Sequence, residues 1–484
     1  MALTVWLFQR GLALVYLIAF ASFLVQAPGL VGPRGILPAS EFGRPAFLLG
    51  HLDGGEVIAV AWVGLAAAAL LFVGLCPPLL AAAAWLAYGA VVRGGSLFMG
   101  YQWDALLLES GFLAIFLFPR ELLRLRPGPP PERVALWLER WLLFRLLFLS
   151  GVVKLASGDP AWRDLSALEY HFFTQPLPMW TSWYAHTLPR WLLHAGTAVM
   201  FVIELVLPFA IFLGRRGRQV ACAGFVLLMM AIAATGNYGF FNLLTCVLCL
   251  LLLDDAALLA ALPQRLRRPV LLFACGARPR PRRLGPLLRL GGVAAFSVTL
   301  VLFLSTLGLW THPPAWVEAW VRAARSTGAF HTYGLFAVMT KERPEIILEG
   351  SVDGITWRPY AFRYKPGDPG RPPPVVGPHM PRLDWQMWFA ALRGCRRAGW
   401  FVRFMERLLE GSPEVRALLA RDPFVDHPPR YLRSRLYEYR FSTPQERAQT
   451  GQWWVRRPAG LFCPDVTQVD GRITAVRLPE PPLP

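Results

Sequence analysis

Apolar residues run along the first two-thirds of the chain in nine long blocks, near 11–27, 57–75, 79–92, 97–118, 134–155, 191–213, 219–235, 240–253 and 291–309. Most approach the roughly 20 residues that carry a helix across a bilayer core. The blocks at 79–92, 219–235 and 240–253 are shorter, and the stretch Thr235-Gly-Asn-Tyr-Gly239 reads as a break between the last two of these. The first block keeps its apolar core beyond signal-peptide length and lacks a small-x-small cleavage site, which predicts a retained anchor. After residue 310 the pattern changes: no long apolar run, many prolines and aromatics, dense charge. Two β-rich runs in 344–364 flank Asp353-Gly354, a hairpin signal. A Pro/Gly-rich linker follows at 366–381, then helix-like stretches near 383–393, 400–410 and 413–421, the last opened by Ser412-Pro413-Glu414. A closing strand is predicted over 430–441, with Tyr431, Arg433, Arg435, Tyr437 and Tyr439 on one face. The expectation is a multi-pass α-helical membrane bundle of about nine spans in residues 1–310. An extracytoplasmic α+β domain with a β-sheet core would occupy residues 311–484.

Orientation follows from arginine. With a cytoplasmic start, inner segments hold Arg10, Arg120, Arg124, Arg126, Arg133, Arg215, Arg216, Arg218, Arg265, Arg267, Arg268, Arg278, Arg280, Arg282, Arg283 and Arg289, sixteen in all. Outer loops hold five: Arg34, Arg44, Arg93, Arg163 and Arg190. Basic residues stay on the cytoplasmic side, so an odd number of spans puts the tail outside the cytoplasm.

Composition agrees with a membrane class. The chain is 55% hydrophobic with mean hydropathy +0.40, which excludes an ordinary soluble domain, and 13% aromatic, which excludes disorder. Seven cysteines in 484 residues are too sparse for a disulfide-stapled scaffold. The net charge of +18 raises nucleic acid as a partner, but 24 of the 49 basic residues precede residue 311 and 25 follow it. That division argues against one basic face, so no nucleic acid is expected. Three lysines, two asparagines and no N-glycosylation acceptor suggest a GC-rich bacterial genome. The host is then a plasma membrane, or the endoplasmic reticulum membrane if the source is eukaryotic.

Ionisable groups inside spans are costly and mark structure or function. Glu109, Arg145 and Glu204 fall at matching depths, predicting an intramembrane ion cluster that either fixes helix packing or forms a proton or substrate pathway. Gln102, Asp104, Lys154, Asp159, His171, Asn237 and Asn242 lie nearer the outer face, and predict an outward-opening polar cavity under the 156–190 loop. Interfacial anchors are the alternative reading of that set. Cys246 and Cys249 sit in an apolar run and read as buried thiols. Cys395 and Cys463 are the two cysteines of the tail; an oxidising exterior permits a disulfide closing a loop of about 70 residues, worth about 4 kcal/mol in the entropy model. Sequence does not supply their separation. Neither G-x-S-x-G, H-E-x-x-H nor a P-loop occurs, and His331, His379 and His427 lack ligand spacing, so no catalytic residue, metal or cofactor is assigned. Trp385, Trp388 and Phe389 at helical spacing read as core.

Several segments in order carry a family likeness: YQWDALLLESGFLAIF at 101–116, SGVVKLASGDPAW at 150–162, EYHFFTQPLP at 169–178 and TGNYGFFNLLT at 235–245. TYGLFAVMTKERPEI at 332–346, EGSVDGITW at 349–357 and RLDWQMWFAAL at 382–392 continue it. From about residue 97 to 465 the chain resembles the lipase maturation factor family. The resemblance implies a multi-pass membrane protein that helps secreted lipases fold and assemble, with its C-terminal domain on the lumenal side. Its partners would be the lipid bilayer and secreted client proteins. The helical half is also similar to the membrane domains of vitamin-K-dependent carboxylase-like proteins. That likeness implies an enzyme acting on a lipid or quinone-like substrate, with Lys154 as a candidate base.

Overall fold

A computed structural model describes residues 1–128, 130–274 and 285–476. Arg278, Arg280, Arg282 and Arg283, four of the sixteen inner-side arginines, lie outside the described residues.

Each apolar block becomes a helix. Among the described residues six helices are long and apolar enough to cross a membrane: Ala2–Leu24, Gly54–Val73, Pro77–Met99, Arg190–Phe212, Gly214–Thr235 and Gly285–Thr306. A seventh candidate is the pair Phe241–Leu250 and Asp255–Ala261, bent by 112°. The remaining two blocks form Gln102–Leu117, only 16 residues, and Arg133–Ala156, which carries Arg133, Glu139, Arg140, Arg145 and Lys154. Both are largely buried, with Asp104, Glu109, Glu139, Arg145 and Lys154 inside the protein. Local chemistry sets the boundaries. Asp53 and Glu56 form a reciprocal cap at the start of Gly54–Val73; Gly74, at φ 104°, ends that helix, and Pro77 opens the next. Close packing depends on small residues: a Cβ on Gly64 would lie 2.2 Å from the Phe20 ring. Ala2–Leu24 is central, with Phe8, Tyr16 and Phe20 fully buried.

The tail is built on an antiparallel sheet of five strands: β1 (Arg343–Ser351), β2 (Arg358–Pro359), β3 (Tyr431–Phe441), β4 (Trp454–Val469) and β5 (Arg472–Ala475), in the order β2-β1-β3-β4-β5. The Asp353-Gly354 hairpin forms, but its second strand is only two residues. Asp353 accepts bonds from the backbone N–H groups of Ile355 and Thr356 at 2.8 and 2.7 Å, holding a wide turn that uses up the residues before Arg358. Those bonds hold its carboxyl well below the usual carboxylate range. Helices Arg382–Arg393 and Gly399–Leu409 lie where the pattern places them, whereas the third is a single turn, Pro413–Arg416. The sequence pattern does not reveal β4, because Pro458, Gly460 and Pro464 interrupt it; the strand absorbs them through three register shifts against β3.

Strand β3 does not keep one buried face. Leu432 and Ser434 are buried at one end, Tyr439 and Phe441 at the other. Leu432 belongs to the main core, which runs without interruption from the helices into the tail. Tyr439, Phe441 and Trp454 instead pack on Phe172, Trp183 and Leu193 of the helical half. The 310/311 boundary falls between helices Gly285–Thr306 and Ala315–Ser326, and apolar packing crosses it.

Candidate functional site

The polar residues of the helix ends are gripped by the tail. Arg382, the first residue of its helix, is buried and donates to both oxygens of Asp104, at 2.6 and 2.8 Å, while Tyr88 donates to Asp104 at 2.6 Å. Gln102 exchanges two bonds with the backbone of Gly334, at 2.9 and 3.1 Å. Asp159 caps Ala161 at 2.9 Å and accepts from the Met339 N–H at 2.6 Å. Asn237 donates to Pro374 O at 2.9 Å and accepts from Val376 N–H at 2.8 Å, so the Pro/Gly-rich segment 366–381 is anchored along the helix ends. From the sheet, Arg343 reaches the backbone carbonyls of Phe173 and Pro176 at 2.7 and 2.9 Å. These contacts leave Gln102, Asp104, Asp159 and Asn237 in an interface and not around one cavity. Asn242 is apart from them, in the first turn of Phe241–Leu250, and its buried Oδ1 has no partner among the described residues.

The acidic and basic groups at depth separate into two pairs. Glu109 is bonded to Arg145 and accepts from the Tyr333 hydroxyl at 2.7 Å, another contact reaching into the segment that follows the helical half. Glu204 does not join them. It pairs with Lys154, whose Nζ lies 2.9 and 2.7 Å from its two oxygens. Lys154 is nine positions beyond Arg145, about 13.5 Å along a helix. The depth reckoned from the sequence assumes a straight, regular helix at 191–213. The structure has α-helix to Phe201, a π turn Val202–Val206 holding Glu204, and then tight 3-10 turns, Leu207–Phe212. Gly151 lets the two helices touch there, since a Cβ would lie 2.7 Å from Leu205.

Lys154 and Glu204, 4% and 6% exposed, stand at the polar end of a cavity of about 380 Å³. Of the seven residues expected around an outward cavity, this one is lined by Lys154 and His171. Its other walls are mostly apolar, including Trp162, Met200, Ile203 and Phe336. The Lys154 ammonium lies 5.4 Å from the Trp162 ring centre. Tyr238 donates to Gln175 Oε1 at 3.0 Å and lies 3.2 Å from His171 Nε2. Burial, with Lys154 nearby, pushes the His171 imidazole down to about 4, so it is neutral at pH 7. Sequence reasoning missed Arg382, Tyr88, Arg343 and the Lys154–Glu204 partnership. Residues Asp104, Lys154, Asn237 and Asn242, the set an enzymatic reading needs together, do not converge. Among the described residues no three His, Cys, Asp or Glu side chains could hold a metal ion. Cys395 and Cys463 form a disulfide, with Cα atoms 5.4 Å apart.

Comparison with known proteins covers both halves. Family models described as the lipase maturation factor transmembrane domain and the lipase maturation factor C-terminal domain match residues 3–260 and 329–464. Lipase maturation factor 2 of Homo sapiens is 36% identical, over 96% of this chain and 82% of its own. Lipase maturation factor 1 of Bos taurus is 35% identical, over 99% of this chain and 92% of its own, and that of Mus musculus is 33% identical over 99% and 91%. No solved structure matches significantly. Both family models in order, and relatives that align over nearly the whole length, place the chain in the lipase maturation factor family.

Proposed function

We propose that this protein is a membrane-embedded folding factor that helps secreted lipases reach their active form. The observation that carries the reading is similarity to relatives named lipase maturation factor over 96–99% of the chain. Helices and tail share one core, which supports a rigid platform rather than a tethered module. On this reading the chain has nine spans and a cytoplasmic N-terminus, and the tail stands outside the cytoplasm. The sixteen-to-five arginine bias supports that orientation, as does the Cys395–Cys463 disulfide, a bond suited to oxidising compartments. Clients would meet the exposed stretch of β4 around Arg456, Arg457 and Leu461, and the neighbouring stack in which Arg447 lies 3.5 Å over the Trp453 ring. Binding there would shield apolar surface of an immature lipase until it folds.

The test uses cells that secrete a lipase but lack their own lipase maturation factor. Supplying the full chain should raise secreted activity per lipase molecule several-fold. No rise, with the chain abundant in the membrane, would reject the reading.

A further inference from the structure

A second cavity, of about 450 Å³, opens at one end of the candidate span Pro77–Met99, away from the Lys154–Glu204 pair. Four guanidinium-bearing residues line it, Arg44, Arg93, Arg325 and Arg393, and no Asp or Glu does. They come from four separate stretches of chain: the loop after the first span, the end of Pro77–Gly95, and the ends of Ala315–Ser326 and Arg382–Arg393 in the tail. None of the four has a carboxylate within salt-bridge distance among the described residues. Other contacts hold Arg93 and Arg393 by their side chains and Arg44 by its backbone. Arg93 donates to Ser326 O at 2.8 Å, the Arg44 N–H donates to Arg93 O at 3.0 Å, and Arg393 lies 5.1 Å from the Phe389 ring centre. Arg44, Arg325 and Arg393 are exposed and Arg93 is half-buried, so the cluster stands at the mouth of the cavity. Four unmatched cations around one concavity therefore leave a strong positive field without its counter-charge.

The rest of the lining identifies the kind of anion. Trp85, Leu86, Gly89 and Val92 are residues of the span itself, so the apolar wall extends from the arginines toward bilayer depth. Phe47 lines the same wall, and Leu48 and Leu49 beside it are exposed, at 76% and 45%. An acidic peptide or free phosphate would use the arginines and leave that wall bare. A membrane amphiphile uses both, and arginine forks fit phosphate oxygens in pairs. We propose that this cavity binds the phosphate-bearing headgroup of an anionic phospholipid, with an acyl chain against Phe47, Trp85 and Leu86. The bound lipid would tie the tail to the bundle at the membrane surface, because Arg44 and Arg93 belong to one and Arg325 and Arg393 to the other.

The full chain in neutral detergent is titrated with spin-labelled phosphatidylglycerol, and with phosphatidylcholine carrying the same label. Phosphatidylglycerol should be immobilised preferentially. R325Q/R393Q should weaken it by about fivefold per arginine while melting stays unchanged. Should that double variant fold poorly, R44Q alone, whose side chain is exposed, should show the single fivefold loss. Equal immobilisation of the two lipids, or no loss in R44Q and R325Q/R393Q, would overturn the proposal. So would inorganic phosphate competing as well as short-chain phosphatidylglycerol, which would mark a free-anion site. Polyglutamate bound where no lipid is retained would assign the cavity to acidic protein.

Discussion

Arg382 and Asp104 are 278 positions apart and share two hydrogen bonds, of 2.6 and 2.8 Å, in the interior. Each is the other's counter-charge, and neither has water to fall back on. Asp104→Asn should therefore destabilise the protein by about 3–5 kcal/mol, because it leaves a guanidinium buried without its anion. The apolar replacement D104L/R382M should recover much of that loss. Thermal melting and limited proteolysis of the detergent-solubilised chain measure both. Wild-type melting in D104N would mean that the pair contributes nothing.

Lys154 and Glu204 form the corresponding pair at the 380 Å³ cavity. K154M or E204Q alone should lower membrane abundance, again by about 3–5 kcal/mol of stability, and K154M/E204L should restore it. In a folding factor the double variant should also regain lipase maturation. An abundant double variant that matures no lipase would give the pair a chemical role.

The disulfide closes a loop between Cys395 and Cys463, 68 positions apart. C395S/C463S should cost about 4 kcal/mol by chain entropy. The loss should appear as a lower melting temperature, matched by treating the wild-type chain with reductant. Among the described residues Cys76, Cys222, Cys246 and Cys249 are free thiols.

Acid should loosen the contact between tail and helices. His171 faces Lys154, Glu204 and Tyr238 around the cavity. His379, within 2.9 Å of Ser22 Oγ, faces Arg363 and Arg382, and its imidazole is pushed down to about 4 by burial and then by those arginines. Both groups are neutral in the folded and unfolded chain well above pH 6.5, where stability is complete. Between about 6.5 and 4 the unfolded chain takes up protons that the folded one refuses, so stability falls as pH falls. At pH 5 the loss should be about 2 kcal/mol per histidine. Melting as a function of pH should show it, and H379Q should remove one share. A flat profile from pH 7 to 5 would contradict the assignment.

The helical half was legible because bilayer thickness imposes long apolar blocks, and each block is a helix. Its polar residues were conspicuous for the same reason, since any charge among them is expensive. What could not be read was their partners. Asp104, Gln102, Asp159 and Asn237 are satisfied by residues 334–382, and nothing local in the sequence announces a contact across more than a hundred positions. Glu204 was assigned to Arg145 by counting residues from the ends of spans, whereas its partner is Lys154, fifty positions away in sequence. Strand β4 was hidden by prolines and glycine that bulges accommodate, whereas β3 lies where it was expected and only its buried face, which changes midway, was not legible.

The Arg382–Asp104 pair also sets an order of events during synthesis. A ribosome adds about 5–20 residues per second, so the base emerges roughly 14–56 s after the acid. Throughout that interval the growing polypeptide must keep residue 104 hydrated or protonated, and any message truncated before codon 382 leaves it so permanently. Premature stop codons late in the gene should thus yield orphaned bundles that cellular surveillance removes, rather than functional anchors lacking a head.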